Sequence, residues 1–187
     1  MKIRYVLCML ICVCLLGSCR YYSIPHENWL LEDDSGTENA LMEQIAECLR
    51  KKDAENLKKV FSKQALQEAD DINAQVEKLF SFFQGEEISW EEDTIGVSEE
   101  VEMGKRKKEI GVWYYVYTEQ EEYCIFLSDY PIDAIDEENQ GLYAMRVVKL
   151  ENEKTQMGKW EDMRIPGIYV PDDDTASSYD YFLLGTL

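Results

Sequence analysis

Val112-Trp113-Tyr114-Tyr115-Val116-Tyr117, followed by Glu119-Gln120-Glu121-Glu122 and then Tyr123-Cys124-Ile125-Phe126-Leu127, decides the fold. Two β-branched and aromatic runs joined by a short polar link read as a long antiparallel hairpin, Gly111–Thr118 against Tyr123–Ser128. Every position of Val112–Tyr117 is apolar or aromatic. Both faces of that strand therefore call for cover, or one face lines a pocket. Strand signals continue on either side, at Ile88–Val97, Glu99–Met103, Ile110–Thr118, Glu122–Tyr130, Gly141–Leu150 and Gly158–Ile165.

Upstream the periodicity is helical. Over Thr37–Lys51, Leu41, Ile45, Cys48 and Leu49 share one helical face, Ser35 and Glu38 resemble a capping box, and Arg50, Lys51 and Lys52 suit the negative C-terminal end. Asp53 is placed to cap a short second helix carrying Leu57, Val60 and Phe61. A third helix is predicted over Ser62–Gln84, where Leu66, Ala69, Ile72, Val76, Leu79, Phe80 and Phe83 keep helical spacing up to Gly85. Helices first and an antiparallel meander afterwards is the order of an α+β domain, placed over residues 37–171.

The first residues give an address. Lys2 and Arg4 precede twelve uninterrupted apolar residues, Tyr5–Leu16, and then Gly17-Ser18-Cys19. Basic, then apolar, then small is the order of a secretory signal, and the run is too short for a hydrocarbon layer that needs about 20 residues. Residues 1–18 read as the signal, 19–36 as a tether, and 172–187 as a tail that begins acidic and ends apolar. The whole chain has 187 residues, 38 acidic against 19 basic, net −19; without residues 1–18 it has 169 residues at net −21. Such a charge excludes an electrostatic nucleic-acid binder. Cys48 and Cys124 remain, either bridged outside the cytosol or separately buried.

Catalytic signatures are sparse. His26, in the tether, is the single His, and GxSxG, GxxxxGK[ST], GxGxxG and CxxC patterns are missing, so neither a cofactor nor a metal is implied. Asp129, Asp133 and Asp136 crowd one loop and form a candidate cation site, weighed against a solvated acidic loop. Phe80, Phe83, Trp90, Tyr114, Val116, Tyr123 and Ile125 are the candidate pocket lining. A carboxylate beside a tyrosine in an apolar pocket would be a conceivable acid–base pair. Lys105-Arg106-Lys107-Lys108 reads as a solvated hairpin turn or a contact with headgroups.

Leu16-Gly17-Ser18-Cys19 resembles the lipobox of bacterial lipoproteins, which implies cleavage between Ser18 and Cys19 and a diacylglycerol on Cys19. The order of elements, including KKDAENLKKVFS (51–62), is similar to the nuclear-transport-factor-two-like, or cystatin-like, roll. That resemblance implies helices packed on a strongly bent antiparallel sheet enclosing a cone. YPIDAIDEENQGLYAMRVV (130–148) and RIPGIYVP (164–171) further resemble an uncharacterised lipoprotein family of clostridia-type Gram-positive bacteria. The reading is a lipid-anchored protein on the extracytoplasmic face of the cell membrane, leaning non-catalytic, that binds a small ligand or an envelope partner through the cone. The alternatives are an enzyme using an Asp/Glu–Tyr pair and a structural or regulatory subunit of an envelope complex. A homodimer through the sheet face is a further partner reading.

Overall fold

The computed structural model describes residues 33–158 and 163–172, all within the compact unit that begins at Asp33. Ser18, Cys19, His26 and most of the tail lie outside the described residues. Helix α1 spans Asp34–Lys51, three residues earlier than the spacing predicts, because Asp33 and not Ser35 caps it: its carboxylate accepts the Gly36 N–H at 2.8 Å. Ser35 Oγ instead donates to Glu92 Oε2 at 2.7 Å, and Glu38 turns inward, so no capping box forms. Helix α2, Ala54–Lys59, is capped by Asp53 as expected.

The predicted third helix is two. Helix α3 covers Lys63–Glu68 and α4 covers Ile72–Phe82. Ala69 is extended between them, and Asp71 Oδ1 accepts the N–H groups of Asn73 and Ala74, starting a new helix where the apolar period alone reads straight through. Aspartates compete for backbone N–H in this way, which is why they favour caps over helix interiors.

The sheet order is β1-β2-β3-β4-β5. Strand β1 (Ser89–Glu102) is continuous where the sequence predicts two strands, and it forms one edge. β2 (Lys105–Tyr117), β3 (Glu122–Asp133) and β4 (Gly141–Lys149) complete an antiparallel meander. The predicted hairpin forms, with its link one residue earlier at 118–121 and with Val116 opposite Tyr123 and Tyr114 opposite Ile125. The expectation of a wholly antiparallel sheet is corrected by β5 (Gly167–Tyr169), which runs parallel to β4. The described part of Gly158–Ile165 holds no strand; the chain enters the sheet only after Pro166, which lacks a ladder donor. Irregularities at Glu92/Thr94, Lys108/Ile110 and Ser128/Asp129 mark bulges, where strands bend.

Each face of the central strands has its own apolar layer. Towards the helices, Met42, Ile45, Leu49, Leu57 and Leu79 pack on Val112, Tyr114, Val116, Tyr123, Ile125 and Val147. On the other face Cys124, Phe126 and Val148 lie under Met157 and Met163, with Trp113 and Tyr115 against them. Cys48 and Cys124 belong to different layers and are free, buried thiols; burial pushes the Cys124 thiol up to about 12. The helical layer is fastened to the sheet by a parallel bridge between Phe61 and Leu142, with Ser62 N donating to Leu142 O at 2.8 Å and Leu142 N to Val60 O at 3.0 Å. Gly141 makes this approach possible: its φ is +122°, and a Cβ there would sit 3.2 Å from Ser62 N.

Candidate functional site

The expected pocket lining is core. Phe83, Tyr114, Val116, Tyr123 and Ile125 are buried in the helix-side layer, and Phe80 and Trp90 pack against its margin. The space between the helices and the sheet is therefore filled by side chains at these positions. The three aspartates of the candidate cation loop are also not brought together. Asp133 Oδ1 accepts the N–H groups of Ile135 and Asp136, and its Oδ2 takes the Asn139 amide at 3.0 Å and Lys107 Nζ at 3.3 Å. Burial opposes ionisation of Asp133, but these donors outweigh it and hold its carboxyl below the usual range. Asp136 caps the 3-10 turn Glu137–Asn139. Among the described residues no group of three or more His, Cys, Asp or Glu could hold a metal ion.

The basic run is no solvated turn. The turn is Met103-Gly104, and Lys105–Lys108 begin β2. Arg106 pairs with Glu99 at 2.7 Å; Lys108, almost fully buried, pairs with Asp34 and lies 3.9 Å from Glu99.

Asp129 instead joins a different set. It lines a cleft of about 640 Å³ between α1 and the start of β4, together with Asp33, Thr37, Leu41, Gln44 and Val60. Among the described residues that line it, Asp33 and Asp129 are the only charged side chains. Burial pushes the Asp129 carboxyl up to about 6, against the opposing effect of the Tyr130 N–H that it accepts. Its charge also reaches Glu38, which is fully enclosed beneath α1 and, among the described residues, has no hydrogen-bond partner on either carboxylate oxygen. Burial, and then the charges of Asp129, Asp34 and Glu92, push Glu38 up to about 8, with Lys108 pulling the other way. The enclosed Tyr114 hydroxyl likewise lacks a partner, and burial raises its pKa, with Glu38 adding to the effect. At neutral pH the set therefore comprises a charged Asp129, a protonated Glu38 and a neutral Tyr114.

As a capping-box residue Glu38 would face solvent, yet the signal for its burial is present in the sequence. Glu38 extends the stripe Met42, Ile45 and Leu49 by one turn towards the N-terminus. Fold and cleft together define a small α+β domain with an acid-lined recess at the join of its two layers. Residues 44–150 match the family model described as "Domain of unknown function (DUF5104)", and the chain belongs to that family. The match includes Tyr114, Asp129 and Gly141; Asp33 and Glu38 precede it. No curated protein matches the chain.

Proposed function

We propose that this chain is a lipid-anchored extracytoplasmic protein that binds a small organic cation, an amine, in the cleft beside α1. The observation that carries the ligand class is the lining itself, which among the described residues has two carboxylates, no basic side chain, and the apolar Ala40, Leu41 and Val60. The volume is in the range of small-molecule sites, which run from about 300 to 1,000 Å³. An ammonium group would neutralise Asp129 while its hydrocarbon part covers Leu41 and Val60. The anchor reading rests on Leu16-Gly17-Ser18-Cys19. At net −21 the body is repelled by anionic lipid, so membrane retention falls to the acyl chains of Cys19.

Calorimetric titration of the purified full chain in detergent with putrescine, butanediol and succinate tests the ligand class. Putrescine should saturate, should weaken at least tenfold in Asp129→Asn, and should weaken below about pH 6 as Asp129 takes up a proton. Equal binding of the diol or the dicarboxylate would overturn the reading. For the anchor, Cys19→Ala should release the protein to the medium or leave a precursor, and labelled palmitate should enter only the wild type. A processed Cys19→Ala protein that stays on the membrane would refute it.

A further inference from the structure

A second cleft, of about 500 Å³, lies where α3 meets the β3–β4 connection and Arg164, and its lining is opposite in character to that beside α1. Lys107 and Arg164 project into it, in a chain with twice as many acids as bases. Each cation is fixed from behind. Arg164 Nη2 lies 2.6 Å from Glu109 Oε2 and donates to Tyr130 Oη at 3.0 Å. Lys107 Nζ sits 3.3 Å from Asp133 Oδ2, a side chain with no solvent exposure, and 4.7 Å from the centre of the Tyr130 ring. Both cations therefore converge on one tyrosine, which itself packs edge-on to Tyr143 at 5.9 Å.

We propose that this cleft is a second binding site, one that takes a phosphate monoester. The buried Asp133 and the largely buried Glu109 act as positioning residues, while Lys107 and Arg164 keep about a third of their side-chain surface open. A guanidinium offers a planar fork for phosphate oxygens, and an ammonium adds a point charge beside it. Gln64 and the Tyr143 ring form the remaining wall, where the organic part of the ester would lie. Asp136 also lines the cleft, but its Oδ1 is engaged by the Glu138 N–H. The site is independent of the amine cleft: it shares no lining residue with it and prefers the opposite charge.

The full chain in detergent is titrated calorimetrically with inorganic phosphate, glycerol 3-phosphate and acetate. Glycerol 3-phosphate should saturate, with acetate at least tenfold weaker. Gln64→Glu, at a half-exposed helical position, adds a carboxylate to the wall without emptying any core site. It should weaken glycerol 3-phosphate at least tenfold while its melt stays cooperative, slightly lowered because the new carboxylate faces Glu68 one turn on; Arg164→Gln should weaken binding likewise and lower the melt further, because it takes a partner from the largely buried Glu109. Short-chain phosphatidic acid separates the sources: binding tenfold tighter than glycerol 3-phosphate assigns a lipid headgroup, and equal binding assigns a free ester. Failure of both phosphates to bind, or binding unchanged in Gln64→Glu and Arg164→Gln, overturns the proposal.

Discussion

Replacing Glu38 with glutamine should flatten the pH dependence of stability between about pH 5.5 and about pH 8.5. Below about 4.5 this carboxyl is protonated in the folded and unfolded chain alike, and it imposes no pH-linked penalty. Between 4.5 and about 8 only the unfolded chain gives up the proton, so stability is lost as pH rises; above about 8 the loss stays constant. At roughly 1.36 kcal/mol per unit, the Glu38 contribution grows by about 3 kcal/mol from pH 5.5 to 8.5. For a domain of this size that corresponds to roughly 6–12 °C in melting temperature. A glutamine amide cannot ionise, so Glu38→Gln should lack this slope while keeping that of Asp129, which is complete by about pH 6. Urea unfolding of both proteins at about pH 5.5, 7 and 8.5 reads the difference directly. Parallel curves, separated by a constant offset, would show that Glu38 is solvated in the folded protein and that its enclosure beneath α1 is wrong.

Three stability predictions concern the frame around the clefts. Gly141→Ala combines a φ of +122° with a Cβ pressed against Ser62 N and Val60 O, so it should cost about 1–3 kcal/mol by urea midpoint; an unchanged midpoint would mean that the helix–sheet bridge adjusts freely. Asp71→Ala removes the acceptor of two N–H groups at the start of α4 and should lower the melting temperature by the equivalent of about 1 kcal/mol. A variant as stable as the wild type would show that the break after α3 does not depend on this cap. Leu79→Asp places an unpaired charge at a fully buried core position and should abolish the cooperative calorimetric transition, whereas a sharp melt would remove α4 from the core.

What the sequence made legible was local. The Asp53 cap and, to within one residue, the hairpin link between β2 and β3 could be read because the residues that decide them lie within a few positions of one another. The break between α3 and α4 was written in Asp70-Asp71, but an apolar period sustained over five turns outweighed two polar residues on its exposed side. The misread sites are all tertiary. Val112–Tyr117 announces burial of both faces and cannot say whether Tyr114 meets a ligand or a packed core. Asp129, Asp133 and Asp136 are neighbours in sequence, yet one faces the α1 cleft, one is consumed by its own loop and one caps a 3-10 turn. The Lys105–Lys108 run looked solvated because its counter-ions, Asp34, Glu99 and Asp133, come from other segments.

The outer edge of β1 bears on how copies of this protein behave in a crowd. Among the described residues this fourteen-residue strand has no neighbour on one side, and such an edge is the usual template for intermolecular strand pairing and aggregation. Here that edge carries exposed Glu91, Asp93, Glu100 and Glu102, so two copies approaching edge to edge bring like charges into register. The acidity of the chain thus acts locally as a guard against self-association, one that added salt screens.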